Sequence, residues 1–146
     1  MPNVIAAGAG EIAREISIDA PLETVFSYFI DPVKHRLWQG TEVELDPRPG
    51  GSFRISFGPG YVAVGTYLNV EPPTRLVYTW GWAEEGSSVL PPGASKVEFT
   101  LEPAGAGTLL RLRHSGLPDK ALEVHGDGWD ETLSELHRRV ASTAEP

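Results

Sequence analysis

A chain of 146 residues with a net charge of −8 is long enough to bury a proper core. Its acidity argues against nucleic acid or an anionic membrane as a main partner, because both need clustered Lys and Arg. The absence of cysteine excludes disulfides, thiolate metal sites and cysteine nucleophiles. No apolar run approaches the ~20 residues that span a bilayer, and the start MPNVIAAGAG lacks the basic and apolar parts of a secretory signal. The expectation is a soluble, cytoplasmic protein with no membrane insertion.

Residues 1–10 are small and glycine-rich and read as a flexible tail, and residues 11–146 read as one domain, with no repeat or linker to divide them. In REISIDAP, Ile16 and Ile18 alternate with polar neighbours, which predicts a first strand. Asp19, Pro21 and Glu23 signal a helix start, and Leu22, Val25, Phe26 and Phe29 follow at helical spacing. Asp31-Pro32 opens a second short helical turn, VKHRLW, which ends at Trp38 before Gly40. Six strands come next. TEVELDP is followed by SFRISFG, whose Phe53, Ile55 and Phe57 share a face. YVAVGTYLNVE leads to RLVYTWGW, which puts Leu76, Tyr78, Trp80 and Trp82 on one side. A proline-rich loop from Ala83 to Gly93 interrupts the pattern, since no strand tolerates it. KVEFTLEP directs Val97, Phe99 and Leu101 inward, and TLLRLRH does the same with Leu110, Leu112 and His114, leaving Arg111 and Arg113 outside.

The last segment predicts one long helix over residues 117–141, with Leu122, Gly126, Trp129, Leu133, Leu136 and Val140 on a single stripe. Its weak point is Gly126-Asp127-Gly128: each glycine costs about 1 kcal/mol against alanine, and Asp127 could cap a fresh helix. One strand, two short helices, a six-strand meander and a final helix predict an α+β fold, in which a curved antiparallel sheet wraps around that last helix.

A helix laid over a concave sheet leaves room for a pocket. Its expected lining is Phe53, Ile55, Phe57, Trp80, Val97, Phe99, Leu112, His114, His125, Trp129 and Leu133. His114 and His125 are the candidate general acids or bases, His114 because strand parity turns it inward and His125 because it borders the helical stripe. The plainer reading makes His114 a hydrogen-bonded core histidine, His125 a rim residue and the tryptophans ordinary core. His35 and His137 read as exposed. No metal site is expected, because His114 and His125 stand on different elements with no carboxylate beside them. The glycines fit turns rather than a phosphate cradle, so no nucleotide or other cofactor is expected. Ser115 faces away from His114, and no nucleophile elbow is present.

The stretches IDAPLETVFSYFIDPVKHRLW, PGGSFR, GTYLNVEPPTRLVYTWGW, GTLLRLRHSGL and HGDGW, in this order, resemble the START-like (SRPBCC) helix-grip superfamily shared with the birch-pollen allergen. Within it the chain resembles the family named after the activator of the Hsp90 ATPase, over about residues 14–140. The resemblance implies a hydrophobic cavity between the sheet and the last helix, but no single activity, since relatives include lipid carriers, aromatic polyketide cyclases and co-chaperones. The leading expectation is a binding protein for a small apolar or aromatic ligand. The alternatives are a cyclase- or dehydratase-like enzyme using a cavity histidine, and a co-chaperone-like interaction domain with a chaperone partner. The last is weakened by the shortness of the segment before the first strand, where eukaryotic co-chaperones carry a further domain. A homodimer stays open. The Ala83–Gly93 loop reads longer and stiffer than the family's usual hairpin, so loop-specific functions of relatives are not carried over.

Overall fold

A computed structural model describes residues 2–83 and 90–143. In chain order the elements are β1 (Asn3–Val4), β2 (Ile12–Ile18), α1 (Leu22–Ile30), α2 (Pro32–His35), β3 (Glu42–Leu45), β4 (Ser52–Ser56), β5 (Val62–Glu71), β6 (Arg75–Trp82), β7 (Ser95–Ala104), β8 (Gly107–Ser115) and α3 (Asp119–Thr143). The strands form one antiparallel sheet in the order β1-β2-β8-β7-β6-β5-β4-β3. Sequential hairpins make most of it, as the alternating runs and glycine turns predict. The long-range join is β2 to β8, with Ile12 opposite His114 and Ile18 opposite Thr108. Of the loop from Ala83 to Gly93, residues 84–89 lie outside the described part.

The sheet can bend where side chains are missing. A Cβ at Gly65 would lie 1.9 Å from the Thr79 carbonyl oxygen and 2.4 Å from the Phe53 ring, so only glycine lets Phe53 cross β5 there. Two residues later the β5–β6 ladder shifts register between Tyr67 and Asn69, as a bulge does.

Into the resulting hollow α1 presses Val25, Phe26, Tyr28 and Phe29, all buried. Pro21, rather than Asp19, occupies its N-cap position, with no side-chain cap bond. Asp31 caps α2 instead, accepting from the Val33 and Lys34 amides at 2.9 and 3.4 Å. Asn3 and Val4 pair with Glu15 and Arg14, and the Gly10 carbonyl accepts from the Leu117 amide at 3.0 Å.

The last helix runs unbroken through Gly126-Asp127-Gly128. Tertiary contacts offset the poor propensity: Leu133, Leu136 and Val140 are fully buried, and Arg14 of β2 donates to Asp130 at 2.6 Å, clamping the helix to the sheet. The two glycines differ. A Cβ on Gly126 would sit 2.9 Å from the Arg14 guanidinium, whereas one on Gly128 meets nothing within 4 Å. Gly128→Ala should therefore stabilise the fold by about 1 kcal/mol, read as a higher urea midpoint at unchanged slope. At Gly126 the same gain is offset by the displacement of Arg14. Among the described residues, no helix is long and apolar enough to cross a membrane.

Candidate functional site

Seven of the eleven residues expected to line a cavity lie in packed core. Phe53, Ile55, Val97, Phe99, Leu112, His114 and Leu133 are all buried in one continuous core. Helix α1 supplies the filling: the Phe29 ring lies 4.6 Å from Phe99 and 5.1 Å from Trp38. Phe53 is enclosed in turn by Tyr67, Tyr78 and Trp80, at 5.8, 4.9 and 5.9 Å. Aromatic rings at these separations are in close packing contact.

The open space lies against the first half of α3, as a cleft of about 470 Å³. Four of the eleven expected residues line it: Phe57, Trp80, His125 and Trp129. Trp80 and Trp82, on one face of β6 by strand parity, form its floor with ring centroids 5.8 Å apart. Phe57 closes one side at 5.7 Å from Trp82. The turn between β4 and β5 adds Gly60 and Tyr61, and α3 adds Val124, Gly128, Glu131 and Thr132. Gln39, just after α2, completes the wall. Sequence reasoning missed Gln39, Tyr61 and Val124 because none belongs to a periodic apolar stripe. Trp82 was within reach, since it shares parity with Trp80. A second hollow of about 470 Å³ lies between α2 and β3–β4, where Arg36, Glu44 and Arg54 share the wall with Val33, Val43 and Val62.

His114 lies behind the cleft wall rather than on it. The Trp129 indole N–H donates to His114 Nδ1 at 2.9 Å, so the proton of the neutral ring sits on Nε2. Nε2 in turn donates to Ser95 Oγ at 2.8 Å, and the Ser95 hydroxyl donates to the Trp80 carbonyl at 2.7 Å. Both ring nitrogens are consumed. The polarity is also opposite to that of a serine nucleophile, whose hydroxyl must donate to the histidine. Burial, with a smaller contribution from nearby His125, pulls the His114 pKa down to about 3. It stays neutral across the physiological range.

His125 carries the other tautomer. Its Nδ1–H donates to the Ala121 carbonyl at 2.9 Å, and its Nε2 accepts from the Trp82 indole N–H at 3.1 Å. The rings of His114 and His125 meet edge to face at 6.0 Å, within a run of indole and imidazole rings from Trp82 to Trp129. Among the described residues, no three His, Asp or Glu side chains converge as metal ligands would. His35, expected at the surface, is only 4% exposed. Its short helix has no stripe to reveal which side is inward. The ring packs on Trp38 at 4.7 Å, its Nε2 pairs with Gln39 Oε1 at 2.8 Å, and burial lowers its pKa to about 4. His137 is half-buried.

An eight-stranded antiparallel sheet curled about one long helix, with an aromatic cleft against the first half of that helix, defines a helix-grip domain. The chain belongs to the family of activator of Hsp90 ATPase homolog 1-like proteins, whose pattern matches residues 19–141. The uncharacterized protein C1711.08 of Schizosaccharomyces pombe is 30% identical over 115 residues, 78% of this chain. The chain spans about a third of that relative's length, 32%. Among solved structures, CalU16 from Micromonospora echinospora is 33% identical with a TM-score of 0.74, over 95% of this chain and 82% of that one. Protein MLL2253 from Mesorhizobium loti superposes with a TM-score of 0.82 at 27% identity, over 93% of this chain and 99% of that one.

Proposed function

We propose that this protein binds a small, flat, apolar or aromatic molecule in the cleft between the end of β6 and the first half of α3. The observation that carries the reading is the wall itself: Phe57, Trp80, Trp82 and Trp129 face a volume of about 470 Å³, the size of a small-molecule site. Two exposed apolar side chains, Tyr61 and Val124, form its lips at 64% and 71% exposure. Uncovered apolar surface at the mouth of a concave site is surface that a ligand would remove from water. The cleft offers shape and burial, while His114 presents no nitrogen to it, so binding is favoured over catalysis.

Saturable quenching of the tryptophan fluorescence by polycyclic aromatics, flavonoids or fatty acids tests the reading. Phe57→Ala should weaken such binding by about tenfold or more while leaving the fold intact, because the Phe57 ring is only half-buried and stands at the cleft. Absence of saturable quenching with all three compound classes would overturn it. A second reading has one observation in its favour: His125 does line the cleft, and a ligand could take the place of Trp82 at its Nε2. A general acid-base enzyme would then lose about 10²–10⁴ in turnover in His125→Gln, whereas a carrier would keep its affinity within about tenfold.

A further inference from the structure

The walls of the cleft are apolar except at a few points, and one of these is unusual. Gln39 is 3% exposed, yet it lines the open space. A buried primary amide needs partners at both ends. With the His35 ring proton on Nε2, that nitrogen donates to Gln39 Oε1 at 2.8 Å, and the amide nitrogen then points the other way. Among the described residues no hydrogen bond answers Gln39 Nε2, so its two N–H groups are left for whatever fills the cleft. The indole nitrogen of Trp80, a residue that borders the same cleft, is buried and has no partner among the described residues. Trp82 differs, because His125 accepts from it.

The balance of charge narrows the ligand further. Among the described residues the ionised side chain on the wall is Glu131, and no Lys or Arg lines the cleft. A carboxylate entering there would find no cation and would face Glu131. A neutral carbonyl oxygen would find donors without that repulsion.

We propose that Gln39 is the specificity-determining residue of this cleft: its amide N–H groups select flat apolar ligands carrying a neutral carbonyl oxygen, over bare hydrocarbons and over carboxylates. The assignment rests on the binding reading above and adds the chemistry that the site recognises. His35 is the positioning residue, acting through Gln39 Oε1 without touching the ligand.

Fluorenone and fluorene test it, since they share one planar tricyclic skeleton and differ in a carbonyl against a methylene. Without a donor the hydrocarbon should bind better, because the carbonyl loses its hydrogen bonds to water. With Gln39 in place, fluorenone should bind about three- to tenfold more tightly than fluorene, the share of one hydrogen bond, and fluorene carboxylate should bind more weakly than either. In Gln39→Leu the preference for fluorenone should vanish or reverse, with fluorene affinity held within about twofold. In the unaltered protein, the side-chain amide protons of Gln39 should move downfield in NMR spectra on adding fluorenone, beyond the ring-current shift that fluorene also produces. That measurement stands even if Gln39→Leu does not fold. A wild-type preference for fluorene, a preference for fluorenone that survives Gln39→Leu, or an amide moved no further by fluorenone than by fluorene would overturn the assignment and leave the binding reading intact. If neither compound binds, the Gln39 assignment falls, while the binding reading is decided by the quenching titration with the three compound classes.

Discussion

Between about pH 6.5 and pH 4 this protein should lose a large part of its folding stability. The cause is two buried neutral histidines. Burial lowers the pKa of His35 from 6.5 to about 4, and burial with the nearby His125 lowers that of His114 from 6.5 to about 3. Above the ordinary value of 6.5 neither the folded nor the unfolded chain holds these protons, so the full stability is present. As the pH falls below it, the unfolded chain takes up two protons that the folded chain refuses, and the equilibrium moves toward unfolding. Each unit of separation amounts to about 1.4 kcal/mol. By pH 4 the two sites together remove about 7 kcal/mol, comparable with the whole stability of a typical domain, about 5–15 kcal/mol. The contribution of His35 levels off near its folded value of about 4, and that of His114 continues toward about 3. Urea midpoints measured across this range should be flat above about pH 7 and then fall, with a slope approaching two protons per chain. His114→Gln should remove about half of that slope. A midpoint unchanged down to about pH 4.5 would show that the two rings are protonated in the folded state.

Trp129→Ala should cost about 5 kcal/mol, the largest loss expected from a single side chain at the site. Trp129 is 4% exposed and packs on Phe99, Trp80 and His114 at 5.7, 5.7 and 5.9 Å. Truncating a buried tryptophan to alanine removes about 3–5 kcal/mol through lost transfer energy and the cavity left behind. The substitution also leaves His114 Nδ1 without its donor, a further penalty of about 1–3 kcal/mol for a buried acceptor. Trp129→Phe separates the two effects: it keeps most of the ring and deletes the N–H, so it should cost about 1–3 kcal/mol in a denaturation experiment. Combined with His114→Leu, which removes the orphaned nitrogen, the cost of Trp129→Phe should shrink, and the difference measures the coupling. Equal costs in both backgrounds would mean that the hydrogen bond contributes nothing and that Trp129 acts through volume alone.

The sequence by itself determined the elements from β2 to α3, while β1 fell in the stretch read as a tail. Period-two runs such as SFRISFG and RLVYTWGW, punctuated by glycine and proline, place β3 to β8, and the three-four spacing of Trp129, Leu133, Leu136 and Val140 places the buried face of α3. These signals are local, because a side chain's face follows from backbone geometry a few residues away. Which inward-facing residues enclose space and which fill it is not local. The expected lining of Phe53, Val97, Phe99 and Leu133 became solid core because Phe29, on a helix some seventy residues before Phe99, reaches across to it. Strand parity aimed His114 inward, yet its hydrogen bonds go to Trp129 and Ser95, which arrive from two other elements and take both nitrogens. His35 and Gln39 show the same limit in a shorter segment. One helical turn is too brief to carry a stripe, so only its packing against Trp38 decides that the histidine is buried and that the amide faces the cleft. Periodicity specifies direction, whereas cavities and hydrogen-bond partners depend on which distant side chains arrive in the same volume, and close packing decides that in three dimensions.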